Sequence, residues 1–457
     1  MLKRLFAFTM AVCLCLSCHD DLDQFPETGI LTENYYNTPE SVESTVTASY
    51  NNLQGLYSYY MILWGEVTSD NAYVQAPNSN GGISSLEDFS WSTTTGFVNS
   101  IWNSSYDGIF HTNMVLEVID EIQFSSSEVK NVRRGEVLFI RSFLYDNLTT
   151  IYGDVPLLTK VTDPSYAFDD TRTPKSEVYA QIEADLLEAI DLLPVTNAAG
   201  RADKQAARAI LAKNYMKRGM FAQAAQQLQQ IVGTGKYSLV DIGDLYGVEN
   251  EGNAEDVFSI QYASELDGNS EGSAYYYNFT QPDNQGGRGA MAMEPAFYNL
   301  FDAADKRRDL INVSDNAYYA NKWTPSPNNN TGDGGDNHYV VRYADVLLML
   351  AEALNETGGS AEALNYLNAV RNRAGLSGIT STNQAVLRDA IALERRFELF
   401  GEGHRWADLL RSGNAVNTMN NFFASEGKNI VVQDFRVLAP IPQSQVDITA
   451  MQQNPGY

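Results

Sequence analysis

Cysteine is almost missing from this chain of 457 residues, and the three present, Cys13, Cys15 and Cys18, crowd into its first eighteen positions. No disulfide can therefore brace the body of the protein. Histidine is nearly as scarce. His19, His111, His338 and His404 are the four present, none at i, i+4 spacing with another. With no cysteine to join them, a zinc site is not expected. No cofactor is implied, because the sequence has no G-x-S-x-G elbow and no phosphate-cradling glycine loop. Positive charge is in deficit as well, 31 Lys and Arg against 57 Asp and Glu for a formal charge of −26. Binding to a phosphate backbone depends on basic side chains neutralising it, so nucleic acid is not a partner.

Long apolar runs are lacking too, except at the start. Lys3 and Arg4 precede the stretch Leu5 to Leu16, too short to span a bilayer and suited to the core of a signal peptide. It ends in Ser17-Cys18. Cleavage after residue 17 would leave Cys18 first in the mature chain, as in a bacterial lipoprotein whose thiol carries lipid. Several acyl chains, at roughly 0.8 kcal/mol per buried CH₂, would hold such a protein on a membrane. Asp20, Asp21 and Asp23 resemble the acidic signal that sends lipoproteins of the Bacteroidetes to the cell surface. An ordinary secretory leader is the plainer alternative. From residue 18 to 457 no Pro/Ser linker or low-complexity run divides the chain, so a single domain is expected.

What the sequence has in quantity is helical periodicity. From Arg342 to Arg373, Ala344, Leu347, Leu348, Ala351 and Leu354 share one helical face. Gly358 and Gly359 break the helix and Ser360 can cap a second, with Ala363, Leu364, Leu367, Val370 and Ala374 on its face. This hairpin cannot bury its own apolar stripe and needs a neighbour. Leu211, Ala212, Tyr215, Ala224, Leu228 and Ile231 match Leu350, Ala351, Leu354, Ala363, Leu367 and Val370 at one constant offset. That spacing is the one used by tetratricopeptide repeats. Further helices are expected from Thr38-Pro39, over Trp102 to Ile122, over Glu136 to Tyr152 until Gly153, and from Thr173-Pro174 to Leu193. Between Gly233 and Asn337 the chain is rich in Gly, Asn, Asp, Ser and Tyr, with short strand-like runs such as VFSIQY. The fold class is thus mostly α: a helical scaffold over 38–232 and 338–411, packed against loop-rich segments at 60–100 and 233–337.

The loop-rich segments hold aromatic, amide and acidic side chains together, the residue types a sugar site would use. A pyranose offers an apolar face to an aromatic ring, at about 1 kcal/mol per contact by analogy with aromatic pairs, and a rim of hydroxyls to planar polar groups. Among 26 Tyr and 5 Trp, several lie outside helices beside amides and acids. Candidate ligand-binding residues are Asp70, Asn71 and Tyr73 in GEVTSDNAY, Trp91 in a Ser/Thr-rich loop, Tyr276 and Arg288 around Asn284 and Gln285, and Trp323 beside TPSPNNN. Trp64, Trp102 and Trp406 read as core. Paired acids for glycoside hydrolysis carry no signal among so many carboxylates. The run Asn328 to Asn337 has Asp333 and Asp336 but not the ligand spacing of a calcium loop, and His404 reads as a structural residue.

Several blocks, in order along nearly the whole chain, resemble the SusD/RagB family of outer-membrane lipoproteins. They are TENYYNTPESV, GEVTSDNAY, SIWNSSYDGIFHTN, EVLFIRSFLYDNLTTIYGDVPLL, DKRRDL, VVRYADVLLMLAEALNE, ALNYLNAVRNRAGL, ERRFELFGEGHRWADLLRSG, and a tail with PIPQ and NPGY. The resemblance implies tetratricopeptide-like hairpins supporting an irregular binding region. It implies capture of oligosaccharide at the outer membrane for a partner transporter of the SusC-like, TonB-dependent type, and no enzyme activity. RagB-type members serve peptide uptake instead, and a lipid-anchored glycoside hydrolase is the alternative of another class.

Overall fold

Caps and glycines set the helix boundaries. The computed structural model describes residues 36–75, 82–161, 171–264, 271–282, 287–314, 316–326, 332–449 and 451–457; the expected leader and Cys18 lie outside them. Helix α1 (Pro39–Tyr57) begins where Thr38 accepts from the Ser41 amide and Ser41 returns the bond, with proline in the first turn. Helix α2 (Tyr60–Val67) follows at once, then strand β1 (Ala72–Val74) and the single turn α3 (Ser84–Glu87). Helix α4 spans Gly96–Val118 and α5 spans Ser127–Tyr152, both starting ahead of the expected Trp102 and Glu136. The early start of α5 is a cap: Ser126 accepts from the Val129 amide. Gly153, at φ 77°, stops it as expected.

The chain continues through α6 (Lys175–Leu192), α7 (Lys204–Lys217) and α8 (Phe221–Val232). The irregular middle contains β2 (Asp256–Ile260), α9 (Tyr275–Phe279), β3 (Met291–Met293), α10 (Pro295–Tyr298), β4 (Ile311–Ser314) and β5 (Ala317–Ala320). Strand β6 (His338–Arg342) runs directly into α11 (Tyr343–Glu356), followed by α12 (Ser360–Arg373), α13 (Gln384–Glu398), α14 (Arg405–Arg411), α15 (Ala415–Ser425) and α16 (Gln443–Ile448). Ser360 is the first residue of α12 and not its cap; its hydroxyl donates to Asn355 Oδ1 at 2.8 Å. Among the described residues helix far outweighs strand, 55% against 7%, as the periodicity requires.

Successive helices pack on one another in chain order from α4 to α8, and α8 then packs directly on α11, which packs on α12 and α13. The residues matched between the two hairpins supply the seam: Leu211, Ala212, Ala224, Leu228, Ile231, Leu350, Ala351, Ala363, Leu367 and Val370 are all fully buried. Each full burial of a Leu or Ile is worth ~1.5–3 kcal/mol. The small residues let backbones approach while the large ones interdigitate. Two features differ from the expected division. Residues 60–67 form α2 inside a region expected as loop, with Trp64 in the core. Helical packing also continues past Arg411, where Ala415, Met419 and Phe423 of α15 are buried.

The irregular middle is held by two small sheets. Four strands run in the order β1-β3-β5-β4, and β2 pairs antiparallel with β6. The second pair links the loop-rich part to the scaffold, because β6 leads without a break into α11.

Candidate functional site

Charge that would normally face water is buried where the loops meet the helices. Glu398 at the end of α13 is 2% exposed and accepts from Arg342 at 2.6 Å and Arg307 at 3.0 Å, with Arg373 also bonded to it. Glu402 accepts from Arg342 through two bonds of 3.0 Å, from Lys322 at 2.9 Å and from the Tyr246 hydroxyl at 2.7 Å. Glu255 takes Arg373 at 3.0 Å, and Arg307 also pairs with Asp305 and Glu394, each at 2.7 Å. Arg395 joins Asp345 to Asp408. Burial alone would raise these carboxyls, yet around Glu398 the guanidiniums of Arg373, Arg342 and Arg307 outweigh it and hold the group at about 2. The mesh ties segments far apart in sequence: DKRRDL, the start of RYAD, and ERRFELFGEG.

Above this mesh opens a cleft of about 540 Å³ with three walls: Asp241–Gly247, Lys306–Leu310 and Asn321–Pro325. Trp323 lines it. Of the five tryptophans, Trp64, Trp91, Trp102 and Trp406 are buried and Trp323 alone is half-exposed. Its indole packs on Tyr275 and Phe279, with ring centres 5.9 and 5.5 Å away. A separate, narrower pocket of about 110 Å³, walled by Tyr57, Trp64, His404 and Trp406 among others, has room for waters and not for an oligosaccharide. Burial, with Lys213 nearby, pushes His404 down to about 4, so it is neutral there.

The other nominated residues are dispersed. Asp70 is 6% exposed and held by Arg405 at 2.8 and 3.0 Å and by Arg396 at 3.1 Å. Burial favours its neutral form, but Arg396 and Arg405 prevail and keep its pKa below the usual carboxylate range. Asn71, also buried, donates to Glu66 at 2.9 Å and accepts from Arg396 at 2.7 Å. Both side chains are occupied in joining the β1 segment to α13. Trp91 is buried beside Trp64 and Phe89 and donates to the Tyr457 hydroxyl at 2.6 Å. Tyr276 is buried in α9. Tyr73 is half-buried in β1 opposite Ala292 of β3, the strand into which Arg288 leads, and Arg288 lies over the Tyr277 ring at 5.8 Å. Asn284 and Gln285 lie outside the described residues. Asp336 is buried, accepting from the Thr324 amide at 2.8 Å and the Thr324 hydroxyl at 3.0 Å. Among the described residues no cluster has the makings of a metal site, and no described helix is long and apolar enough to cross a membrane.

The sequence reading missed Lys322, Tyr246 and Glu402 around the cleft. Their signal is weak in one dimension: a lysine next to a candidate tryptophan, and acids embedded in the apolar blocks of α13 and its following turn.

The buried carboxyls make stability depend on pH. Burial raises Glu294 to about 7 and Asp336 and Asp256 to about 6. Between the unfolded value near ~4 and these raised values, the folded state binds more protons than the unfolded one, so stability grows as pH falls through that window. Glu398 acts oppositely, its contribution being lost only as pH drops from the ordinary carboxylate range toward about 2. The melting temperature is expected to peak near pH ~5. Scanning fluorimetry from pH 3 to 8 checks this, and a plateau or maximum at pH 8 would contradict it.

Comparison with known proteins agrees with this architecture. Residues 308–457 match a family model described as the SusD family, and residues 21–216 match one described as starch-binding, associating with the outer membrane. SusD-like protein P2 of Formosa agariphila is 27% identical over the whole of both chains. A SusD-like protein of Bacteroides ovatus is 23% identical over 100% of this chain and 92% of its own. Among solved structures, a laminarin-binding SusD-like protein is 27% identical, covers 92% of this chain and all of its own, and superposes with a TM-score of 0.80. A SusD superfamily protein of Bacteroides vulgatus shares the fold at a TM-score of 0.81 and 23% identity, covering 92% of this chain and 99% of its own. The chain belongs to the SusD/RagB family.

Proposed function

We propose that this protein is a glycan-binding lipoprotein of the outer-membrane surface, anchored through Cys18. It captures oligosaccharide without cleaving it and passes it to a SusC-like TonB-dependent transporter. Trp323, half-buried and lining the cleft together with Lys306, Asp309, Asn321 and Thr324, carries the reading: an indole among polar side chains suits the apolar face and hydroxyl rim of a sugar. The family's description and the laminarin-binding relative support a glucan as the first ligand to try.

Affinity electrophoresis and calorimetry against laminarin and starch oligosaccharides test it. Retardation with no shortened products is expected; products in solution would favour a hydrolase, and no shift on any glycan would favour peptide or protein ligands. Trp323→Ala is expected to weaken glycan binding ~5–10-fold, the loss of one stacking contact of about 1 kcal/mol; because the indole also packs on Tyr275 and Phe279, the melting temperature is expected to fall as well while unfolding stays cooperative.

A further inference from the structure

We propose that Lys322 is a positioning residue that fixes the orientation of the Trp323 indole and the width of the cleft by bonding across it. Lys322 is 3% exposed, and its ammonium lies 4.4 Å from the centre of the Tyr246 ring and 4.2 Å from that of Phe400. It donates to the Tyr246 hydroxyl at 2.8 Å and to Glu402 at 2.9 Å. Tyr246 belongs to the facing wall, so these bonds run from one side of the cleft, through the ammonium, to the scaffold beneath.

Charge compensation alone does not explain a lysine here. Glu402 already accepts two bonds from Arg342, and burying an ammonium is costly. What Lys322 adds is the bond to Tyr246. The residue on the other side of Trp323 is tied down in the same manner: Thr324 donates to Asp336 and accepts at 3.2 Å from the amide of Val248, the residue that follows the facing wall. With its two neighbours fastened to the interior and to the opposite wall, Trp323 has little freedom to tilt. A preorganised aromatic does not have to be ordered when ligand arrives, and that saving appears as affinity.

The affinity consequence rests on the glycan reading above; the orientation of the indole does not. The test therefore uses two readouts on Lys322→Met and Tyr246→Phe. Because the other four tryptophans are buried, acrylamide quenching of intrinsic fluorescence reports Trp323, and Trp323→Phe removes the reporter as a control. In both variants the quenching constant is expected to change at least 2-fold while a cooperative melt is kept, and with Trp323→Phe added the change should vanish. Affinity for laminarin oligosaccharides, measured by calorimetry, is expected to fall about 10-fold in either variant. Tyr246→Phe removes one hydroxyl only, so it remains informative if Lys322→Met does not fold. Unchanged quenching in a folded Tyr246→Phe protein would overturn the proposal. Altered quenching in a protein whose wild type binds no glycan would sink the glycan reading and leave the clamp standing.

Discussion

Glu398→Ala is expected to remove about 3–5 kcal/mol of folding stability, because it strips one carboxylate from three buried guanidiniums at once. The lost attraction is only part of the cost. Arg342 keeps Glu402 and Glu255, and Arg307 keeps Asp305 and Glu394, but each is left with donors facing a gap. Removing one partner of a buried set is much more damaging than replacing the set with apolar residues. Urea denaturation compares the variant with wild type, and Glu398→Gln separates charge from shape, since it keeps the volume and one acceptor. A loss below ~1 kcal/mol for the alanine variant, the range of a solvent-exposed pair, would mean the mesh is not as dry as the structure has it.

A second large effect is expected from the smallest possible change. Gly65 lies in α2, and a Cβ on it would come 2.0 Å from the carbonyl oxygen of Gly403. The obstacle is backbone, so no rotamer can relieve it. Gly403 itself adopts φ 83° and donates its amide to Glu66 at 2.9 Å, which fixes the turn against the helix. Gly65→Ala must push α2 and the turn 401–403 apart, at an expected cost of about 3 kcal/mol, the upper end of overpacking. Because that turn carries Glu402, the damage should reach the cleft: Trp323 quenching is expected to change along with the melting temperature. A variant with wild-type stability would show that the two segments have slack.

Much of the scaffold could be read from one dimension, because periodic burial leaves a periodic trace. The constant offset between Leu211–Ile231 and Leu350–Val370 marks two hairpins whose faces are buried in the structure, and the run VFSIQY overlaps all of β2 but its first residue. Boundaries set by side-chain caps were less legible: Ser126 starts α5 well before the apolar period announces it. The site was harder still. Asp70, Asn71 and Trp91 have the residue types of a sugar site, yet type does not reveal whether Arg405 or Arg396 already occupies the carboxylate and amide. Trp323 carried the same one-dimensional signal as Trp91. What separates them is exposure, decided by residues hundreds of positions away, such as Tyr457 against Trp91. The ion mesh was invisible for the same reason, since its members come from segments that meet only in three dimensions.

Helix α8 ends at Val232 and packs on α11, which begins at Tyr343, so the chain departs and returns at one spot on the stack. Everything between them is topologically a cassette inserted into a continuous row of helices. Closing a long excursion is entropically cheap, growing only with the logarithm of its length, so such a module is free to be exchanged for another with different taste in ligands. The transplant is constrained at two joins: β3 of the cassette pairs with β1 outside it, and Glu255, Arg307, Lys322 and Arg342 travel with the cassette while Arg373, Glu394, Glu398 and Glu402 stay behind, so a graft that drops any of the four would leave an unmatched charge.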